Sequence, residues 1–315
     1  TVTQKKRRGE YPCKTVQVIP HITDEIKSRI RGLTAEIEDE IDVAIVEIGG
    51  TVGDIEGLHF LEAIRQFKFD VGPNDCCYIH VTLVPYIDAA GELKTKHTQH
   101  SVRALRDIGI QPNVIVCRTG KHKLGPEQRK KVAMFCDVTE DAIINAEDIS
   151  PLYAIPLNLK KQGLGDTVVR TLGLDVPPSD LSEWADMVER MKNAKRVVKV
   201  AAIGKYTGHD DAYKSINEAF THAGIANDCR VEYEWLSAEQ FESGVEPDDV
   251  LKNYDALLIA PGFGSRGTEG KIKCVQYARE TGMPFLGICL GLQMAVIEYA
   301  RNVVKLEGAN STEID

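Results

Sequence analysis

The sequence predicts an α/β protein made of two doubly wound parallel sheets. Three observations carry that prediction. Short apolar runs alternate with helix-like stretches of about ten residues, the rhythm of strand–helix–strand units. The rhythm lapses once, over residues 173–196, and then resumes. The chain has 315 residues, which suits two domains of ordinary size better than one core. The expected division is a first domain at 1–172, a linker at 173–196 and a second domain at 197–315.

Taken in order, residues 15–19 are short and β-branched and read as a strand. Residues 42–48, DVAIVEI, form a near-continuous apolar run ending at Gly49 and Gly50, the pattern of a strand buried on both faces. Helical spacing follows at 58–67, and residues 75–86, DCCYIHVTLVPY, return to strand. Residues 99–108 read as a helix stopped by Gly109, residues 113–117 as a strand, and residues 126–135 as a helix opened by Pro126 in its first turn. In the linker, Pro177-Pro178-Ser179-Asp180 makes a turn and a helix cap. A charged helix at 181–192 follows, with Trp184, Met187 and Met191 on one face. The second domain predicts strands at 197–203, 230–236, 256–260 and 284–288, and helices at 212–223, 268–280 and 290–301. Ligands are expected beyond the carboxyl ends of its strands.

Apolar residues make up 43% and charged residues 27%, which excludes a disordered chain. Asp and Glu outnumber Lys and Arg, 47 to 38, for a net charge of −9. That balance argues against nucleic acid or an anionic membrane as partner, while a local basic pocket can still hold an anion. No run approaches the roughly 18 apolar residues of a membrane span, and the start, TVTQKKRR, has no apolar signal-peptide core. The eight cysteines include no C-x-x-C pair and sit mostly in apolar runs, so a reducing cytoplasm is expected, with no disulfide framework and no zinc site. Residue 1 is Thr and the chain ends on Ser311-Thr312-Glu313-Ile314-Asp315, so both ends read as cut.

The sharpest motif is Gly287-Ile288-Cys289-Leu290-Gly291, after an apolar strand and before a helix. It is the G-x-nucleophile-x-G elbow with sulfur as nucleophile. The turn strains the nucleophile's backbone, so the residues two before and two after it must be small. Partial positive charge at the helix start favours the thiolate, and the Leu290 N–H offers a donor to an oxyanion. A second donor is expected from Gly262 in Pro261-Gly262-Phe263-Gly264, after the neighbouring strand. The plain structural alternative is a buried cysteine in a tight turn. Residues 197–315 resemble a class I glutamine amidotransferase domain, in which GICLGLQ is the nucleophile segment. The resemblance implies that Cys289 attacks the amide of L-glutamine, forms a thioester and releases ammonia. It also implies that Gly262, Leu290, Gly291, Leu292, Gln293 and Glu313 contact glutamine or its oxyanion. Such domains carry a His and an acid after the nucleophile, whereas all eight histidines here precede Cys289.

In the first domain, Glu47-Ile48-Gly49-Gly50-Thr51-Val52-Gly53-Asp54-Ile55-Glu56 places a carboxylate at the expected end of a strand, then a glycine loop, then a helix entry. Glu47 there can reach a Mg²⁺ held by phosphates, and the glycines let backbone N–H groups approach phosphate oxygens. Lys94-Thr95-Lys96-His97-Thr98-Gln99-His100 reads as an anion cradle of lysines, hydroxyls and a helix start. The alternatives are a capped loop and a solvated basic turn. Lys131, within Arg129-Lys130-Lys131, reads by itself as an exposed helix charge.

Together these segments resemble the CTP synthase family over nearly the whole chain. The match includes QVIPHIT at 17–23, the Glu47–Glu56 segment, KTKHTQHSV at 94–102, and GKYT with DAYKS at 204–215. The resemblance implies a P-loop-type synthetase domain lacking its N-terminal part, joined to a flavodoxin-like amidotransferase domain lacking its C-terminal part. It implies ATP-dependent amination of UTP through a 4-phosphorylated intermediate, with ammonia drawn from glutamine. By it, Glu47 is a Mg²⁺ ligand and Asp54, Ile55 and Glu56 belong to a pocket where CTP inhibits. Lys94, Thr95, Lys96, His97, Thr98, Gln99 and Lys131 contact the UTP or CTP triphosphate, and Arg118, Glu147, Asp148 and Ile149 serve ATP. GTP activation, with Arg266 and Gly267 in the lid region, and a homotetramer are further implications. Two departures stand out. His97 replaces a common proline, and Pro-Gly-Phe-Gly has one glycine fewer than the common Pro-Gly-Gly-Phe-Gly. No G-x-x-x-x-G-K-[ST] phosphate loop occurs.

Two other readings stay open: another glutamine-dependent amidoligase of the cobyric acid synthase type, and a non-catalytic nucleotide-binding or assembly module. The lysine-rich 94–99 loop favours a triphosphate acceptor over the first. With no histidine after Cys289 and no phosphate loop, these 315 residues alone are expected neither to hydrolyse glutamine efficiently nor to make CTP. Glutaminase and CTP-formation assays check this, and turnover comparable to that of an intact family member would overturn it.

Overall fold

The computed structural model describes residues 2–11, 15–35, 41–208, 211–312 and 314. The chain divides into two compact units, Thr1–Ser182 and Glu183–Asp315. Among the described residues no helix is long and apolar enough to cross a membrane.

In the first unit, α1 (Val2–Arg7), α2 (Thr23–Ala35) and α3 (Leu58–Val71) come before β1 (Ile79–Leu83). A small antiparallel hairpin follows, β2 (Tyr86–Ile87) and β3 (Glu92–Leu93), turning on Gly91 at φ +62°. Then come α4 (Lys96–Ile108), β4 (Val114–Gly120), α5 (Pro126–Cys136), β5 (Ile143–Glu147), α6 (Ile155–Lys161) and α7 (Leu164–Leu172). The main sheet is parallel in the order β1-β4-β5. Val102 of α4 and Val132 of α5 pack with Ile115, Cys117 and Ile143 in one core. Leu159 and Leu164 pack on Val114, Val116 and Ile144 in a second. Because side chains alternate along a strand, these two cores occupy opposite faces of the sheet, which is therefore wound on both sides.

Two expected strands are absent here. Residues 42–48 are not in a ladder, and the run is exposed, Ile45 at 92%. A strand buried on both faces needs a neighbour's N–H and C=O groups, and among the described residues none pairs with this segment. Only its end is packed, where Ile48, with Val52 beyond it, meets Leu61, Leu105 and Ile110. Residues 15–19 are not a strand either. Val18–Ile22 is a kinked helical stretch in which Ile19 is extended (φ −108°, ψ 123°), Pro20 has no N–H to give, and the Pro20 carbonyl accepts from the Thr23 hydroxyl.

In the second unit, α8 (Ser182–Asn193) leads into β6 (Arg196–Gly204), α9 (Lys214–Ala226), β7 (Cys229–Ser237), α10 (Ala238–Glu242), α11 (Pro247–Leu251), β8 (Ala256–Ile259), α12 (Thr268–Thr281), β9 (Phe285–Gly287) and α13 (Leu290–Asn302). All four strands are parallel, in the order β7-β6-β8-β9. Ala201, Ile203, Leu257 and Ile259 face a core with Phe241, Ile272 and Met294, while Val200, Ala202 and Leu258 face Tyr213, Phe220 and Trp235. The order reverses between β6 and β8, so the carboxyl ends of those strands border the crevice where such sheets bind ligands.

Close backbone approach fixes how α12 lies on α10. A Cβ built on Gly270 would stand 2.0 Å from the Ala238 carbonyl oxygen. In an open helix, Gly→Ala stabilises by roughly 1 kcal/mol. Here Gly270→Ala is expected to reverse that sign and destabilise by about 1–3 kcal/mol through overpacking, read as a lower urea midpoint at unchanged slope.

Candidate functional site

The second unit's site is built on the turn between β9 and α13. Register pairs Ile259 with Gly287, and the Ile288 N–H donates to the Ile259 carbonyl at 3.0 Å, so the turn is tied to β8 at its base. Two glycines make the approach feasible. A Cβ on Gly287 would lie 2.6 Å from the Gly291 carbonyl, and one on Gly291 would lie 2.3 Å from the Ile259 carbonyl oxygen. Between them Cys289 adopts φ 53° and ψ −107°, a conformation that costs an L-residue energy. Its side chain is exposed, whereas Cys117 and Cys136 are buried and burial pushes their thiols up to about 12 and about 11. Cys289 is thus an accessible sulfur at the first turn of a 13-residue helix.

Gly262 follows β8 and is buried. A Cβ there would lie 3.6 Å from Leu290 Cδ2 and 3.3 Å from Lys205 Cδ, so the Gly262 loop and the elbow share one corner of the unit. Leu290 and Gly291 are buried and Leu292 is exposed. Gln293 is half-buried and its side-chain oxygen accepts from the Ser311 hydroxyl at 2.7 Å. Glu313 lies outside the described residues. Two lysines to which the sequence assigns no role stand here. Lys205, at the end of β6, donates to the Phe263 carbonyl at 2.7 Å and to that of Gly264, and buried Lys271 of α12 donates to the Ala260 carbonyl at 3.0 Å. Arg266 pairs with Glu239 at 2.6 Å and lies over the Tyr206 ring.

The first unit holds a cleft of about 500 Å³ at the hairpin and the start of α4. Lys94, Thr95, Lys96, His97 and Lys131 line it, joined by Glu92, Glu127 and Gln128. The hairpin sets the geometry: the Lys94 N–H donates to the Pro85 carbonyl at 2.8 Å, and Lys94 Nζ pairs with Glu92. That pairing, with Lys131 adding to it, holds the Glu92 carboxyl below its usual range. Thr98 faces inward: it is buried, its hydroxyl 3.4 Å from that of Thr82. Gln99 donates to the Thr95 hydroxyl at 3.0 Å and borders a separate surface groove with Arg103 and Arg106. Glu92, Glu127 and Gln128 are cleft residues the sequence reading missed, although the i,i+4 spacing of Glu127 to Lys131 puts both on one face of α5.

Arg118, Glu147, Asp148 and Ile149 come together at the carboxyl ends of β4 and β5. Arg118 donates to Asp148 at 3.3 Å, and the Asp148 N–H donates to the Gly120 carbonyl at 2.7 Å. Asn158 and Lys123 approach Glu147 at 3.5 and 3.7 Å. Glu47 lies on the exposed 42–48 segment, and Asp54, Ile55 and Glu56 on an exposed turn; none of these four lines the cleft. Among the described residues no group of three or more His, Cys, Asp or Glu is placed to hold a metal ion. Magnesium usually takes one or two carboxylates with the remaining positions filled by water and phosphate, so an exposed single carboxylate such as Glu47 suits it only in company with a nucleotide.

Residues 1–174 match the family profile described as CTP synthase N-terminus, and residues 209–313 match glutamine amidotransferase class-I. The chain is 54% identical over 317 residues to a CTP synthase of Symbiobacterium thermophilum, covering 99% of this chain and 58% of that one. It is 54% identical over 321 residues to a CTP synthase of Methanocaldococcus jannaschii, covering 100% and 58%. It therefore spans 58% of the length of these relatives. A solved structure, the Trypanosoma brucei CTPS glutaminase domain with bound acivicin, is 38% identical over 37% of this chain and 45% of that one, with a TM-score of 0.34.

The lysine cleft predicts polyanion binding. Replacing Lys96 or Lys131 by Ala is expected to weaken tripolyphosphate binding about five-fold or more, and added salt should narrow the difference. Isothermal titration of the folded chain checks it.

Proposed function

The chain belongs to the CTP synthase family, and on that premise we propose that it serves the ATP-dependent amination of UTP to CTP with ammonia taken from glutamine. The observation that carries this reading is the exposed Cys289 sulfur, held at φ 53° between two glycines that admit no side chain. The thiolate attacks the glutamine carboxamide carbon, and the oxyanion draws on the N–H groups of Leu290 and Gly262. Collapse, with a proton delivered to the leaving nitrogen by water or by the histidine that such domains carry after the nucleophile, expels ammonia and leaves a thioester, which water hydrolyses to glutamate. Gln293, beside the elbow, suits contact with the bound amino acid.

In the synthetase part the cleft lysines, Lys94, Lys96 and Lys131, take the UTP triphosphate, with Thr95 and His97 on the same wall. Thr98 and Gln99 support that wall from behind: one is buried and the other bonds Thr95. The Arg118, Glu147, Asp148 and Ile149 group suits the ATP side. Transfer of the γ-phosphoryl group of ATP to uracil O4 makes that oxygen a leaving group, and ammonia at C4 then displaces phosphate. Bound with nucleotide, Mg²⁺ would offset phosphate charge, with Glu47 as its protein ligand. CTP inhibition through Asp54, Ile55 and Glu56, GTP activation near Arg266, and tetramer formation belong to the same reading.

In a polypeptide of the relatives' length, Cys289→Ala is expected to abolish glutamine-dependent CTP formation, by 1,000-fold or more as an order of magnitude for a lost nucleophile, and to leave ammonia-dependent formation within about two-fold. Parallel assays with glutamine and with ammonium chloride check it. Failure of ammonia to rescue the variant would overturn the division of labour.

A further inference from the structure

Lys205 comes directly after β6 and is buried, with 7% of its surface exposed. Its backbone is pinned first. The N–H groups of Lys205 and Tyr206 both donate to the Tyr213 hydroxyl, at 3.0 and 3.3 Å. The Tyr213 ring stacks on Trp235 at 4.0 Å and lies so close to Gly204 that a Cβ there would stand 2.8 Å from it. A side chain that starts from a backbone held in this way has a fixed origin.

That side chain ends on the loop after β8. Its stem runs along Gly262, where a Cβ would lie 3.3 Å from Lys205 Cδ and 3.6 Å from Cε. Its ammonium donates to the next two carbonyls, that of Phe263 at 2.7 Å and that of Gly264. Side chains give this part of the loop little hold on the core: Phe263 is 78% exposed and Gly264 has none. Ordering such a loop carries an entropic cost. Two bonds from one buried ammonium fix two successive peptide planes against that cost. The same Cβ on Gly262 would lie 3.6 Å from Leu290 Cδ2, so Gly262 touches both the Lys205 stem and the residue after Cys289.

We propose that Lys205 is a positioning residue for the oxyanion: it holds Gly262 against Leu290 so that both backbone N–H groups serve one oxygen. It acts on the step that forms a tetrahedral oxyanion and not on the reactivity of the sulfur itself. A donor misplaced by about 1 Å loses much of its effect on a transition state. The inference rests on the reading of Cys289 as nucleophile with Leu290 and Gly262 as oxyanion donors, and it adds a residue to which that reading gives no part.

The test compares two reactions of one sulfur in the folded 315-residue chain at pH 7. With p-nitrophenyl acetate, the thiolate adds to the ester carbonyl and a tetrahedral oxyanion forms. p-Nitrophenolate then leaves with the C–O electron pair and needs no proton, and Cys289 is left acetylated on sulfur. With iodoacetamide, the thiolate displaces iodide from carbon and no oxyanion forms. Both reactions consume the thiolate, so exposure and ionised fraction cancel in the ratio of the two rates, each read by mass spectrometry at Cys289. Lys205→Met keeps the stem and removes the ammonium. It is expected to lower the acylation-to-alkylation ratio about ten-fold, with alkylation within about two-fold of the parent. Tyr213→Phe keeps the ring and removes the acceptor for the Lys205 N–H. It is expected to lower the ratio about three-fold. A parent-like ratio in folded Lys205→Met overturns the proposal, and so does an equal fall in both reactions, which would make the contact structural. Should Lys205→Met not fold, a parent-like ratio in Tyr213→Phe overturns it, as does failure of both variants to fold. Should the ratio at Cys289 in the parent be no higher than at half-buried Cys76, the oxyanion reading itself falls and takes this inference with it.

Discussion

The second unit depends on one contact that leaves no room for a side chain: the backbone of Gly291 against the carbonyl of Ile259. That approach lets α13 start directly over the end of β8. It forces the turn between β9 and α13 into so short a path that Cys289 takes a left-handed φ. Exposure of the sulfur and its place at a helix start follow from the same geometry. The Gly262 loop, which begins at Ala260 directly after β8, necessarily emerges beside it. The Cys289 sulfur and the Gly262 loop are therefore not two features separately placed. They are two consequences of the parallel register between β8 and β9.

The first unit reaches its chemistry by a different constraint. A two-stranded hairpin of two-residue strands is too small to be stable alone. It is held because Leu93 is buried in the main core and the Lys94 N–H bonds back to Pro85. Anchoring at those points delivers Lys94 and Lys96 to one rim of a cleft, while α5 brings Lys131 to the other. Glu92 and Glu127 temper that positive wall. In a chain of net charge −9, concentrating three lysines around one cleft gives a local field that opposes the global one.

Legibility in the sequence followed the range of the interactions involved. Helices α3, α4, α5, α9, α12 and α13 and strands β1, β4 and β6 to β9 fall near where periodicity, Gly109 and Pro126 put them, since those signals are local, whereas the β2–β3 hairpin, α10 and α11 were not read from the sequence. The elbow was readable because its two glycines and its cysteine lie within five residues. Residues 42–48 were not, since an apolar run carries no information about whether a neighbouring strand is present to pair with it. Thr98 and Gln99 belonged to the right motif, but helix phase turns one inward and the other toward a different groove. Glu127 needed the tertiary fact that α5 faces the hairpin. Lys271 was hidden most deeply, because a lysine in an amphipathic helix reads as a solvated charge and only packing reveals that it is sealed in.

Lys205 and Lys271 show why that last case matters for the chemistry. Both come from elements that a sequence motif does not join, β6 and α12, and both end on carbonyls of the same five-residue loop. A loop of such composition, with glycine at two of its five positions, has little intrinsic order. Hydrogen bonds from the two ammonium groups to its carbonyls supply that order from outside. An apolar side chain at either place would leave a loop carbonyl without its donor. The loop that sets Gly262 against Leu290 is thus held by contacts from two distant elements, and no local motif encodes them.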